Sequence, residues 1–303
     1  MVTIRKLFRY LYDSDYRFII NSYRFGMYKE MSDEAYLKRT FKACFGYVPD
    51  LENPRTFNEK LQWLKLHDRK DIYTTMVDKY EAKKYVGHVI GEKYVIPTLG
   101  VWDHFDDIDF SKLPMSFVLK CTHDSGSVVL VRDKNHWDKD AAKKLLERGL
   151  SRNYYWSGRE WPYKNGKTRI LAEEMVDMNP VDYKRICLKG EPEVLCMCMD
   201  RQKGDLTFNY YDMNFNLLPF EWVHPNIKTG GEKRPENFDE MKKLARKLSK
   251  GIPEVRVDFY DINGQVYFGE LTFYHQSGFA PFSPEEWDLK LGQLLGLTDI
   301  KRE

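Results

Sequence analysis

Two runs of alternating residues, Glu254–Tyr260 and Val266–Tyr274, flank Asp261-Ile262-Asn263-Gly264. Asn-Gly between such runs is a strong hairpin signal, because both residues tolerate the positive φ of a tight turn. The hairpin constrains the fold most, since its register decides which side chains share a face. A loop over Asn263, Gly264 and Gln265 pairs residue 258 with 270, 257 with 271 and 256 with 272. One face then carries Val255, Val257, Phe259, Leu271 and Phe273, all apolar, and the other carries Arg256, Asp258, Glu270 and Thr272. A strict two-residue loop would put Asp258 and Glu270 on opposite faces and mix polar with apolar residues, so the apolar pattern selects the longer loop. Directly opposed carboxylates destabilise a bare sheet. A hard divalent cation between them, bridging phosphate oxygens at which Arg256 is aimed, accounts for the cluster. The plainer alternative is a charged, solvent-exposed hairpin face.

Before about Tyr94 the apolar residues recur at helical spacing. Asp33 to Phe45 reads as one helix. A second follows Thr56, which with Glu59 forms a capping box, and a third runs from Tyr73 to Val86 ahead of Gly91. From Tyr94 onward, short apolar runs predict strands at Ser116–Lys120, Ser127–Val131, Arg169–Glu173, Tyr183–Leu188, Glu193–Asp200 and Leu206–Tyr211. A helix over Lys139–Leu150 and an aromatic, basic loop over Ser151–Lys167 interrupt them. Asn214 to Pro235 reads as a long loop, and Phe238–Leu248 as an amphipathic helix stopped by Gly251 and Pro253. The whole is an α+β chain.

Net charge is +2 over 303 residues, with 42% hydrophobic and 31% charged. That is a soluble globular pattern, and it excludes nucleic acid as an expected partner. Aromatics, at 15%, suit stacking on rings or sugars as well as a core. Cys44, Cys121, Cys187, Cys196 and Cys198 are odd in number and form no disulfide framework, which points to a reducing cytoplasm. Cys196 and Cys198 would share a strand face as buried thiols. His67, His88, His104, His136, His224 and His275 show no metal-ligand spacing. No apolar run is long enough to span a membrane, and no signal-peptide core is present. From Ile4 to Tyr12, basic and bulky apolar residues interleave at helical spacing. This fits a helix lying on the inner face of a membrane or docking a biosynthetic partner; the plainer reading packs its apolar face on the body.

Arg256-Val257-Asp258-Phe259, the hairpin, Gly269-Glu270-Leu271-Thr272 and Ser277-Gly278 together resemble the metal and phosphate strands of ATP-grasp ligases such as D-alanine–D-alanine ligase. In that family Arg-x-Asp is followed by Glu-x-Asn and a small-residue loop, and Thr272 stands where Asn is usual. The resemblance implies Asp258, Glu270 and Thr272 as magnesium ligands and Arg256 as catalytic. It implies Lys120 as a catalytic residue reaching the nucleotide phosphates, and Ser125, Gly126 and Ser127 as a loop covering them by backbone N–H groups. It implies Leu171–Val176 as the hinge, with Glu173 and Glu174 at the adenine and Val176 packed on its ring, and Asp182 or Lys184 at the ribose. With Leu51–Lys60, Val77–Tyr80, Lys120–Gly126, Asp182–Lys184 and Glu270–Tyr274, the chain resembles the TupA-like (teichuronopeptide-type) ATP-grasp family over roughly residues 40–290. That family occurs among bacterial capsule and surface-polysaccharide genes.

The fold so implied is ATP-grasp-like. A helical region, 1–93, precedes a nucleotide lobe, 94–175, and a metal-binding C-terminal lobe, 176–303, with nucleotide between antiparallel sheets. The implied activity uses ATP and magnesium to join a carboxylate, a uronic acid of a surface glycan or its sugar-nucleotide precursor, to an amine or amino acid through an acyl phosphate. Tyr154–Trp161 is either an acceptor contact or lid, or a loop pinned by its own aromatics. His123 and His275 are further candidates to approach phosphate. Three other classes stay open. A glycosyltransferase would need a metal-binding Asp-x-Asp after a nucleotide-binding βαβ unit; Asp107-Ile108-Asp109 fits the bare pattern, but its acidic surroundings read as a solvated turn. A kinase on the same site would take a hydroxyl acceptor. A non-catalytic scaffold would have no need of Arg256, Asp258 and Glu270.

Overall fold

The computed structural model describes residues 4–178, 180–199, 207–224, 226 and 233–297. Helices α1 (Ile4–Tyr12), α2 (Ser14–Phe25), α3 (Asp33–Phe45), α4 (Phe57–His67), α5 (Asp71–Val77) and α6 (Glu81–Ile90) come first. Strands β1 (Thr98–Trp102), β2 (Phe117–Cys121) and β3 (Val128–Val131) lead to α7 (Lys139–Leu150), α8 (Tyr155–Gly158) and β4 (Ile170–Glu174). Then follow β5 (Asp182–Leu188), β6 (Glu191–Met199), β7 (Thr207–Tyr211), β8 (Glu221–Trp222), α9 (Phe238–Ser249), β9 (Glu254–Ile262), β10 (Gln265–Thr272), β11 (Phe282–Ser283) and α10 (Glu286–Leu295). Asp200, Leu206 and the centre of the Asn214–Pro235 stretch lie outside the described residues.

Two antiparallel sheets organise the chain, one in the order β1-β4-β2-β3 and one in the order β10-β9-β5-β6-β7. In the first, Phe117, Leu119, Cys121, Ile170 and Ala172 form the back face and pack on Ala142 and Leu146 of α7. In the second, Val255, Val257, Phe259, Leu271 and Phe273 share a core with α9 and with Phe57, Leu61, Tyr73, Met76 and Val86 of α4–α6. Helices α4–α6 therefore contribute side chains to the core of the second sheet. At about 2 kcal/mol for each fully buried side chain, five such residues put roughly 10 kcal/mol behind their register against a one-residue slip.

The hairpin reaches that register by a route different from the expected one. Asn263 (φ 51°) and Gly264 (φ 79°) make a two-residue turn, and Gln265 pairs with Ile262. A β-bulge between Phe268 and Leu271 then adds one residue to β10 and brings Leu271 opposite Val257 and Thr272 opposite Arg256. Gly269 sits in the bulge, where a Cβ would lie 3.2 Å from the Asp258 carbonyl oxygen. The helix expected over Tyr73–Val86 is two helices, because the Asp78 carboxylate accepts the N–H groups of Tyr80 and Glu81 at 2.9 Å each and starts a new one. The short β1, interrupted by Gly100, and the helix α10 were not anticipated. Within the expected loops, β8 pairs with β11, and α8 with a 3-10 turn at Trp161–Tyr163 orders Ser151–Lys167.

Two more expectations are decided by burial. Cys196 and Cys198 are buried free thiols, as are Cys121 and Cys187, whereas Cys44 is exposed. Helix α1, by contrast, leaves Leu7, Phe8, Leu11 and Tyr12 exposed, so its apolar face does not pack on the body. Among the described residues no helix is long and apolar enough to cross a membrane.

Helix α10 locks onto the start of α4. Asp288 accepts the Asn58 N–H at 2.9 Å, and Lys60 donates to the Gly292 carbonyl at 2.6 Å. A Cβ on Gly292 would lie 2.7 Å from the Phe57 nitrogen and closer still to the Arg55 carbonyl oxygen, and this backbone cannot step aside. Gly292→Ala is expected to lower the unfolding free energy by about 2 kcal/mol in chemical denaturation. Gly166→Ala, with nothing within 4 Å, should leave it unchanged.

Candidate functional site

Strand alternation places Glu270 and Thr272 of β10, Arg256, Asp258 and Tyr260 of β9, and Asp182 and Lys184 of β5 on one face of the second sheet. Arg256 organises them. Its Nε and Nη2 donate to Asp258 Oδ1 and Oδ2 at 2.7 Å each, and Nη2 also reaches Glu270 Oε1 at 2.5 Å. Its Nη1 faces His275 Nδ1 at 3.1 Å. Lys184 lies between Asp182 (2.5 Å) and Asp258 (2.6 Å). Thr272 Oγ1 donates to Glu270 Oε1 at 3.2 Å.

The opposing face of the first sheet carries Lys120 and Val118 of β2 with Leu171 and Glu173 of β4. Glu173 is buried and paired with Lys120 through Oε1 and with Lys83 of α6 through Oε2, the latter at 2.8 Å. Val128 and Leu130 extend this face as exposed apolar side chains. In the loop after β2, Ser125 and Gly126 are exposed while Asp124 and Ser127 are buried. Lys79, at the break between α5 and α6, donates its backbone N–H to the Thr122 carbonyl at 2.8 Å and its ammonium to the Asp124 carbonyl.

Charge couples the two faces. Burial opposes ionisation of Glu270, but Arg256 first, then Lys79 and Lys184, hold its carboxyl at about 2. Burial likewise works against charge on Glu173, and Lys120 and Lys83 outweigh it, so that carboxyl sits below its ordinary range. Burial raises Asp258 above its ordinary range, and three charge-assisted hydrogen bonds from Arg256 and Lys184 oppose that shift without cancelling it. His275 is held well below its usual range by burial and then by the Arg256 cation, leaving a neutral ring to accept from the guanidinium. Tyr260 is raised first by burial and then by Asp182, by Glu173 of the other sheet, and by Glu270 and Asp258. One phenol thus senses carboxylates of both sheets.

The chain matches the model of the TupA-like ATP-grasp family over residues 59–296. It belongs to that family. Comparison with curated proteins gave no match. Solved structures that resemble it include D-alanine–D-alanine ligase from Helicobacter pylori (14% identity, TM-score 0.45, 82% of this chain and 68% of that one). They also include the ATP complex of the same enzyme from Bacillus anthracis (15%, 0.38, 66% and 54%) and N5-carboxyaminoimidazole synthetase from Staphylococcus aureus (16%, 0.37, 66% and 44%). The chain spans about half the length of these last two, 54% and 44%.

Within this ATP-grasp chain the expected site residues fall into two groups. Arg256, Asp258, Glu270, Thr272, Asp182 and Lys184 come together on the second sheet, and Lys120 and Glu173 on the first. Glu174 points to solvent, and Val176 is half-buried beyond the end of β4. The sequence expectation put a metal between Asp258 and Glu270 with Arg256 aimed at phosphate. Here the guanidinium itself lies between the two carboxylates, because buried charges require a partner at hydrogen-bond distance. Oxygen donors are the kind a hard divalent cation takes, but among the described residues no three His, Cys, Asp or Glu side chains gather as a metal site. Glu270 retains 38% side-chain exposure, and its hydrogen bonds fall on Oε1. Asp258 would join only after exchanging a contact with Arg256 or Lys184.

The sequence reading missed Lys83 and Lys79, whose partners lie 90 and 45 residues away in the chain. Their helical spacing looked like that of any surface lysine. His123 meets the Arg152 carbonyl at 3.0 Å instead of projecting from its loop. The Tyr154–Trp161 segment is pinned to α3, with Asp33 taking Arg69 at 2.7 Å, Arg159 at 3.3 Å and the Tyr155 hydroxyl. Asp109 caps a turn through the Ser111 N–H at 3.1 Å and pairs with Lys112, as a solvated turn requires.

Two outcomes follow from these charges. Glu173→Gln leaves Lys83 and Lys120 without their shared counter-charge and is expected to cost about 3 kcal/mol in denaturant unfolding. Glu270 has a depressed folded-state value, so its stabilisation is complete above its ordinary value of 4.5 and is lost as pH falls towards about 2. Melting temperature recorded against pH should therefore fall less steeply in that window for Glu270→Gln than for the parent.

Proposed function

We propose that this protein is an ATP-dependent ligase that activates a carboxylate and joins it to an amine. The observation that carries this reading is the Arg256–Asp258–Glu270–Lys184 cluster facing the Lys120–Glu173–Lys83 cluster in a chain of the ATP-grasp family. Such facing clusters suit an elongated polyanion with a polar ring at one end. Val118, Leu171, Val128 and Leu130 offer an apolar floor for a purine, and Glu173 a carboxylate at its edge. Lys120 and Lys79, both at the phosphate-loop end of this face, supply cations for the phosphates. Lys120 would exchange its bond to Glu173 for one to phosphate. Ser125 and Gly126 are the exposed loop residues whose N–H groups can cover the same oxygens.

ATP supplies the phosphoryl group that turns the carboxylate into an acyl phosphate, releasing ADP, and the amine then displaces inorganic phosphate. Magnesium would be held by Glu270, Thr272 and Asp258 and would screen the phosphate oxygens. Arg256, fixed by His275 behind it, offsets the charge that develops on the transferring group. Positioning and electrostatics are what this chain contributes. The proposed acid is a uronic acid of a surface glycan or its sugar-nucleotide precursor, the nucleophile an amine or amino acid, and the compartment the cytoplasm.

The test is ATP turnover with magnesium across uronic-acid sugar nucleotides crossed with amino acids and small amines. ADP and phosphate are expected only when acid and amine are both present. Lys120→Met and Glu270→Gln should each lower the rate by roughly a hundredfold or more. Cleavage of a nucleotide sugar without ATP would replace this reading with a glycosyltransferase. ATP consumption with a hydroxyl acceptor and no amine would make the protein a kinase.

A further inference from the structure

Helix α1 is fastened to α2 on one side only. Tyr10 donates to Asn21 at 2.7 Å, and Arg17 caps the carbonyls of Tyr10 and Leu11 at 3.1 and 2.8 Å. Away from that contact, Leu7, Phe8 and Leu11 are 53–56% exposed and Tyr12 is 81% exposed. At 100° per residue these four positions span an arc of about 140°. The Phe8 and Tyr12 rings stack at 6.1 Å on this arc. The exposed Lys6 lies on the far side of the helix, and Arg9, beyond the Tyr12 edge, pairs with Asp13 at 3.2 Å.

The charge distribution follows the same geography. Residues 1–29 hold Arg5, Lys6, Arg9, Arg17, Arg24 and Lys29 against Asp13 and Asp15, a net of +4. The remaining 42 basic and 44 acidic residues sum to −2. Positive charge is therefore concentrated where apolar side chains are left in water. The family match begins at residue 59, so it does not include this segment. An apolar arc with aromatics on it, in a segment of net charge +4, complements a surface that is anionic outside and hydrocarbon beneath.

We propose that α1 docks this protein reversibly on an anionic membrane surface, with Leu7, Phe8 and Leu11 at the acyl boundary and the net positive charge of residues 1–29 drawing the segment to lipid phosphates. Nine residues of helix make this a peripheral contact, not an insertion.

Co-sedimentation of the full chain with vesicles tests it. Binding is expected to vesicles of phosphatidylcholine with phosphatidylglycerol, and not to phosphatidylcholine alone. Leu7→Ser/Phe8→Ser/Leu11→Ser should weaken partitioning by roughly a hundredfold. Lys6→Glu should weaken it by about tenfold and flatten its salt dependence. Melting temperatures of both variants should match the parent, since the exchanged side chains face water. Three results would overturn the proposal: no binding to the anionic vesicles, equal binding by the triple-serine variant, or lipid-free self-association that this variant abolishes. The last would assign the face to a second copy of the chain.

Discussion

The Arg256 guanidinium is the group on which the second sheet and its surroundings depend. It lies buried between Asp258 and Glu270, whose mutual repulsion would otherwise oppose the pairing of β9 with β10. Burial makes this cation expensive in isolation, and two carboxylates within 2.7 Å reverse that. Its remaining nitrogen meets His275, the second residue of the loop Tyr274–Gly278. There Tyr274, Gln276 and Ser277 take φ of 53–55°, a strained choice for side-chain-bearing residues. The loop is held from both sides. Glu254 accepts the Tyr274 N–H at 2.7 Å, while Gln62 and Lys65 of α4 each reach its carbonyls at 2.8 Å. A helix distant in sequence thus fixes the backbone behind the charge cluster.

A second joint ties the two sheets together. Asp78 ends one helix and starts another, and the same carboxylate pairs with Arg169 at 3.2 Å just before β4. The break directs Lys79 to the loop after β2, while Lys83, one turn on, reaches Glu173. Short local chemistry, an aspartate capping N–H groups, thereby sets the position of two cations in the cleft. Asp78 is paired with Arg169 and Lys83 with Glu173, while Lys79 meets a backbone carbonyl. On the proposed function, nucleotide binding exchanges internal ion pairs for bonds to phosphate, so its affinity would depend on salt and pH.

Much of this was legible beforehand for a simple reason. Period-two alternation in Val255–Phe259 and Leu271–Phe273 is a burial pattern, and burial on one face forces Arg256, Asp258, Glu270 and Thr272 onto the other. The capping box at Thr56 and Glu59 is likewise local, and it is present. Order along the chain of Lys120, Glu173, Asp182 and the hairpin carried the family, which the match over residues 59–296 establishes. Errors arose where two local solutions give one pattern. A three-residue turn, and a two-residue turn with a bulge at Gly269, bring the same side chains to the same face.

What the sequence determined by itself is therefore which residues alternate, which are buried and which share a strand face, since these follow from spacing along one segment. What the tertiary structure alone decided is who pairs with whom. Lys184 lies between Asp182 and Asp258, Lys83 shares Glu173 with Lys120, and Arg256 occupies the place expected for a metal. A charge is neutralised by whatever lies within hydrogen-bond distance. When the partners are 74 or 90 residues apart, only the packing of sheets and helices brings them within 3 Å.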